Sequence, residues 1–226
     1  MEQRINSLKY IKLQYQLRYL VPMPIKLPID KFNGFPTLMK RLGYKVGAEI
    51  GTAKGHFAKW LCVKIPKLKL FCIDPYKVYE GYVEYKEGDQ LELDSKFEEA
   101  KTKLAKFNVE FVRKYSMDAV KDFPDNSLDF VYIDANHSFE YVVSDIAEWE
   151  RKVRQGGIIS GHDYWNSQER NKIYKIGIAK IEPTEIEKMK LCQVKDAVDA
   201  WTKTNKIKPW FLTNERDYPS WFYIKQ

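Results

Sequence analysis

Cysteine is scarce: Cys62, Cys72 and Cys192 are the only three in 226 residues, and none forms a Cys-x-x-Cys pair. Two of them sit in apolar surroundings that read as core, so reduced thiols are expected rather than a disulfide framework. Long apolar runs are lacking too. The longest are strand-sized, and Met1-Glu2-Gln3-Arg4 leads into a lysine-rich stretch without an apolar signal region. Neither a membrane span nor an export signal is therefore expected, and the expected location is the cytoplasm. Low-complexity tracts are absent, and 44% hydrophobic residues suit a folded chain with one core. The net charge of +7 comes from lysines spread along the whole sequence. A nucleic-acid footprint should cluster on one face, so dispersed lysine argues for solvated surface and against nucleic acid as the partner.

What is present is organised around Val46 to Gly55, read V-G-A-E-I-G-T-A-K-G. A short apolar run ends in Glu49, Gly51, Thr52 and Gly55, and His56-Phe57-Ala58-Lys59-Trp60-Leu61 then begins a helical pattern. Strand, glycine turn and helix make a nucleotide-binding corner, because glycine lets the backbone approach a ligand and the helix start offers free N–H groups. The spacing is E-x-G-x-x-x-G, and the dinucleotide fingerprint fails because Ala53 stands where it needs glycine. The next apolar run, Leu68 to Ile73, ends in Asp74, placed as an acid that accepts ribose hydroxyls. Together these residues resemble the first motif and ribose acid of the class I S-adenosylmethionine-dependent methyltransferases. The resemblance implies that the Glu49 to Gly55 turn wraps the methionine part of the cofactor and that Asp74 holds its ribose.

Before this corner, Ile5, Leu8, Tyr10 and Ile11 among lysines suggest a basic amphipathic helix, and Pro22, Pro24 and Pro28 impose an extended path. Residues 1–45 are expected as an N-terminal helical arm or cap, which either closes over a substrate pocket or packs on a sheet edge. Residues 46–226 are expected as the catalytic domain. After Asp74, Pro75 to Tyr82 reads as a tyrosine-rich loop over the mouth of the site, and a helix follows with Phe97, Ala100, Leu104 and Phe107 on one face. Val109 to Val112 and Ser127 to Ile133 read as the third and fourth strands. The third runs into Ser116 and Met117, where the resembled family borders the adenine. Asp134 ends the fourth, and Ser138 is placed to cap the next helix. Gly156-Gly157 should break that helix, with the fifth strand starting at Ile158 and ending at Gly161-His162-Asp163-Tyr164. Residues 165–192 are expected as a lid, and residues 207–213 and 220–224 as a closing hairpin. The implied fold class is α/β: a Rossmann-like methyltransferase fold with a seven-stranded, mostly parallel sheet and a C-terminal antiparallel hairpin.

Two strand-end segments, D-A-N-H-S-F-E-Y and G-G-I-I-S-G-H-D-Y, resemble a subgroup of small-molecule O-methyltransferases. In those relatives an aspartate after each of the two strands binds magnesium, and Asp134 and Asp163 are the matching positions. Tyr164 stands where a third oxygen ligand is often found, leaving Asn166 or the substrate to complete such a site. His137 matches the general base of one branch, and a histidine can take a hydroxyl proton with or without a metal. His137 and His162 also admit a purely structural reading, as single histidines in folded chains often do. The function expected from the resemblance is methylation of a small-molecule hydroxyl, sugar or phenolic, with S-adenosyl-L-methionine as cofactor, Mg2+ as an optional one, and Asp134 beside both cofactor and acceptor. Two alternatives stay open: a nucleic-acid N-methyltransferase, against which D-A-N-H replaces the usual Asn/Asp-Pro-Pro-Tyr, and a cofactor-fold binding protein without catalysis. Both a monomer and a homo-oligomer fit the sequence.

Overall fold

The computed structural model describes residues 5–17, 22–79, 90–165 and 192–226. Eight strands form one sheet: β1 (Ile25–Lys26), β2 (Val46–Ile50), β3 (Lys69–Ile73), β4 (Val109–Val112), β5 (Leu128–Ile133), β6 (Val153–Gly161), β7 (Trp210–Leu212) and β8 (Trp221–Ile224). The helices are α1 (Ser7–Gln14), α2 (Gly34–Arg41), α3 (His56–Lys64), α4 (Gln90–Leu104), α5 (Ser116–Ala119), α6 (Phe139–Lys152) and α7 (Val194–Thr204). The strand order is β1-β7-β8-β6-β5-β2-β3-β4. Strands β4, β3, β2, β5 and β6 are mutually parallel, and β8 enters antiparallel between β6 and β7. The seven strands from β2 onward are the mixed sheet expected from the sequence, and the hairpin closes it.

The sheet has apolar material on both faces, so its central strands are nearly continuous buried runs. Along β5, Phe130 and Tyr132 join the core on one face, while Val131 and Ile133 join the core on the other. This is the period-two alternation of a strand. The first core is completed by Phe35, Leu61 and Phe222, the second by Ile146, Trp149, Val198 and Trp221. Helix α6 buries Val142, Ile146 and Trp149, the stripe its spacing announces.

One expectation is corrected. The Gly156-Gly157 pair does not end a helix: α6 stops at Lys152, and β6 already runs from Val153. The register jumps from Leu128↔Val153 to Phe130↔Ile158, so the glycines sit in a bulge of β6. A Cβ on Gly157 would lie 2.4 Å from Val153 Cγ1 and 2.5 Å from the Asp129 carbonyl oxygen, a gap that no larger residue fits. Of the two readings of the N-terminal arm, closure over the pocket does not hold for helix α1, which lies away from the site. Ser7 donates to the Gly156 carbonyl, 2.6 Å, at the opening of β6, and Ile11 is fully buried in the first core.

A short piece of the N-terminal segment joins the sheet. Ile25 and Lys26 pair parallel with Phe211 and Leu212, adding an eighth strand at the edge. Because β7 and β6 are both antiparallel to β8, β1 runs in the direction of β6 and delivers its continuation to the same edge. The expected lid lies outside the described residues except for Trp165 and Cys192.

Candidate functional site

The register lines up the site. Ile50 pairs with Ile73 and Ile133, Ile73 with Val112, and Ile133 with Gly161, so Gly51, Asp74, Asp134 and His162 each follow an aligned strand end. Backbone bonds extend the row: Gly51 N–H to Ile73, 2.8 Å, Asp134 N–H to Ile50, 2.7 Å, and His162 N–H to Ile133, 3.0 Å. Ligands of open α/β sheets bind at this edge, where the strand order reverses between β2 and β5.

A cavity of about 590 Å³ opens there, lined among others by Gly51, Asp74, Tyr79, Ser116, Met117 and Asp134. Its size suits a small molecule. Gly51 has φ +88°, and a Cβ on it would stand 2.0 Å from the Asp134 carbonyl oxygen, so only glycine lets the turn pack against the segment after β5. Asp74 braces the same turn. Its Oδ2 accepts from the Ala53 N–H, 2.9 Å, and its Oδ1 from the Tyr76 N–H, 2.8 Å, while the Tyr76 hydroxyl donates to the Ala53 carbonyl, 2.7 Å. Burial pushes the Asp74 carboxyl up, against these two N–H groups. Each oxygen keeps further acceptor capacity for a ligand.

Ser116 and Met117 open α5 in the cavity wall. The Ser116 hydroxyl donates to Asp145 Oδ1 and accepts from Trp149 Nε1, 2.8 Å. Asp145 lines the cavity and was not singled out from the sequence. It falls between Val142 and Trp149 on the buried face of α6, and an acid inside an apolar stripe was the available signal. Burial raises its carboxyl to about 7, opposed by Ser116.

Glu49 and Thr52 are buried beside the turn, and Gly55 precedes α3. Glu49 Oε2 and Thr52 Oγ1 have no hydrogen-bond partner among the described residues. Burial raises the Glu49 carboxyl to about 8. Orphaned acceptors at the root of a glycine turn, next to a cavity of this size, fit a ligand that brings its own cation, such as the ammonium of S-adenosylmethionine.

Asp134 joins this cavity to a second cluster. Its Oδ1 lies 3.8 Å from His137 Nε2, and its Oδ2 lies 3.7 Å from His162 Nδ1 and 3.3 Å from Lys31 Nζ. Asp163 Oδ2 stands 3.2 Å from His137 Nε2, and Asp163 Oδ1 3.1 Å from His162 Nδ1. Asp163 reaches back with φ +52°, in the left-handed region that aspartate tolerates. So the structure brings His137, Asp134 and Asp163 together, and adds His162 and Lys31. Asp134, His162 and Asp163 offer donor atoms within 4.8 Å of one another. Tyr164 donates its hydroxyl to Asp199 Oδ1, 2.7 Å, and Asn166 lies outside the described residues.

Charges in this cluster sustain each other. Burial pushes Asp134 up, but the Lys31 ammonium and His162 outweigh it and hold the carboxyl well below its usual range. Burial likewise opposes Asp163, yet hydrogen bonds from His137 and His162 bring it to about 2. For His162, burial favours the neutral ring, and the Asp134 carboxylate reverses this to about 9.

A family model described as a methyltransferase domain matches residues 48–164, just over half of the chain. The chain belongs to the methyltransferase-domain family. Its fold is that of a class I S-adenosylmethionine-dependent methyltransferase. Solved structures agree on the fold. A candidate caffeoyl-CoA O-methyltransferase of Staphylococcus aureus superposes with TM-score 0.59 at 15% identity, over 100% of this chain and 93% of that one. An O-methyltransferase of Bacillus cereus in complex with S-adenosylhomocysteine gives 0.56 at 13% identity, over 100% and 93%. The Streptomyces achromogenes O-methyltransferase involved in tomaymycin synthesis, in complex with S-adenosylmethionine, gives 0.53 at 14% identity, over 100% and 92%. No curated protein matches the sequence. No helix among the described residues is long and apolar enough to cross a membrane.

Proposed function

We propose that this methyltransferase carries the methyl group of S-adenosylmethionine to a hydroxyl oxygen of a small molecule, sugar or phenolic, with His137 as general base. The observation that supports this reading most directly is the position of Asp134, which forms part of the cavity wall and also stands 3.8 Å from His137. The cavity would take the cofactor, with Asp74 on its ribose, Glu49 and Thr52 on its methionine part, and Ser116 and Met117 along its adenine. S-adenosylmethionine supplies a methyl carbon made electrophilic by its sulfonium. The acceptor oxygen forms the new C–O bond as the C–S bond breaks, the electron pair stays on sulfur, and His137 takes the hydroxyl proton. Most of the rate comes from alignment, which the half-buried cluster of close ionic contacts supplies by holding the base in place. Asp163, 3.2 Å from His137 Nε2, orients the ring and stabilises its charge once protonated.

The magnesium ion that the resemblance implies has donors in Asp134, Asp163 and His162. The Lys31 ammonium at Asp134 Oδ2 does not suit a dication on the same oxygen, and His162, held protonated by the two aspartates, would have to give up its proton to ligate one. The fused cavity and cluster would form one small-molecule site, to which the segment after β1 contributes Lys31.

His137→Ala tests the reading. S-adenosylhomocysteine affinity, read by calorimetry, should stay within error, while methyl transfer to the acceptor falls by roughly a hundredfold or more, the usual scale for a lost general base. An unchanged rate would remove His137 from the reaction. Asp74→Ala should weaken S-adenosylhomocysteine binding instead, and unaltered binding would mean the ribose sits elsewhere.

A further inference from the structure

Lys31 belongs to none of the motifs that mark this chain as a methyltransferase, yet it reaches the centre of the site. Residues Ile25, Leu27, Ile29 and Lys31 are buried, while Lys26, Pro28 and Asp30 between them are exposed. Lys31 thus takes the fourth inward position of an alternating stretch, where an apolar residue would continue the pattern. It is 8% exposed, with the rings of Phe57, Tyr132 and Phe32 at 5.1, 5.4 and 5.6 Å from Nζ. Its backbone N–H donates to Glu215 Oε1, and the preceding Ile29 carbonyl accepts from Asn214 N–H at 2.8 Å. These bonds anchor the backbone at Lys31, and its ammonium lies 3.3 Å from Asp134 Oδ2.

A buried cation held in an aromatic surround costs desolvation unless its partner repays it, and the partner here is a carboxylate of the acceptor cluster. Two aspartates face each other across His137 and His162. In such a pair a divalent ion would contact the carboxylate oxygens at about 2.1 Å and bring two positive charges beside Lys31. The ammonium already supplies positive charge at that oxygen. It also keeps donors beyond the one spent on Asp134, because lysine carries three.

We propose that Lys31 is the resident cation of this site: it stands in for a divalent metal at Asp134, donates to the acceptor oxygen as that oxygen loses its proton, and makes methyl transfer metal-independent. The proposal rests on the reading of the site as an oxygen methyltransferase, but its decisive test does not need the acceptor. Mn2+ is titrated into the full chain and free Mn2+ is followed by electron paramagnetic resonance, for wild type, Lys31→Met and Lys31→Arg, with thermal unfolding to establish that each is folded.

Wild type and Lys31→Arg should leave millimolar Mn2+ free, and Lys31→Met should bind it at least about tenfold more tightly, because the acidic pair has lost the cation that sits on Asp134 Oδ2 and keeps only His162. If Lys31→Met fails to fold, Lys31→Gln, also neutral and of similar length, carries the comparison. Mn2+ bound by wild type, or excluded equally by the folded neutral variant, overturns the proposal. Calorimetry of S-adenosylhomocysteine on the same samples separates the two levels. Loss of cofactor binding in wild type contradicts the methyltransferase reading, whereas the Mn2+ pattern alone decides the role of Lys31.

Discussion

Glu49 has its carboxyl raised to about 8 by burial, with Oε2 unpartnered among the described residues. If it meets the cofactor's ammonium, it must ionise to do so, and the proton it loses goes to solvent. Binding of S-adenosylhomocysteine at pH 7 should therefore release protons, seen as a dependence of the calorimetric heat on buffer ionisation enthalpy. Glu49→Gln should abolish the release, weaken binding and raise Tm of the unliganded chain, since a buried acid favoured as neutral destabilises the fold increasingly as pH rises from 4.5 towards 8. A heat independent of buffer would remove Glu49 from the cofactor site. His162 titrates with the opposite sign. Its folded value of about 9 lies above the ordinary 6.5, so its contribution is complete below pH 6.5 and lost as pH rises through 9. The Tm gap between wild type and His162→Gln should be widest below pH 6.5, down to the 3.8 where unfolded aspartate titrates, and should close above 9. A gap that stays constant with pH would show that His162 is uncharged in the native state.

Among the elements, the bulge of β6 is the sharpest case of geometry set by one residue. Gly157→Ala places a methyl against Val153 and a backbone oxygen, and overpacking of this kind costs about 1–3 kcal/mol. Urea unfolding should show that loss, and an unchanged midpoint would mean the bulge can relax. The same strand shows what the sequence conceals. An amphipathic helix followed by Gly-Gly has the local signature of a helix stop, but Gly156 N–H donates to the Lys225 carbonyl, 2.8 Å, and Lys225 N–H to the Gly157 carbonyl, 2.9 Å. The partner that makes the glycines part of a strand lies far along the chain. By contrast, β2, β3 and β5 were readable because each is a short apolar run ended by a glycine or an acid, and those endings line the cavity. β1 hid behind three prolines, although Ile25, Leu27 and Ile29 alternate plainly. Lys31 could have been read from that alternation, but its destination depends on β1 pairing with β7, a contact no local pattern carries.

At the scale of the molecule, the N-terminal segment and the glycine-turn corner share one core. Ile11, Leu27, Phe35, Leu38, Met39 and Tyr44 pack in the same buried cluster as Phe57, Leu61 and Phe130. A chain beginning at Val46 loses all six of the first group, and its near-ultraviolet circular dichroism and cooperative unfolding should both be lost. Retention of a sharp transition at the wild-type Tm would make residues 1–45 a detachable cap. Both the cavity and the Asp134–His137–His162–Asp163 cluster depend on the carboxyl edge of this single sheet, with Asp134 common to the two. The most direct test of that account is a calorimetric titration of S-adenosylhomocysteine into the full chain, with EDTA and again with excess Mg2+. Saturable binding at one site per chain, equal in both conditions, is the predicted result. An absence of binding in both would contradict it, leaving the Glu49 to Gly55 turn and Asp74 as scaffold alone.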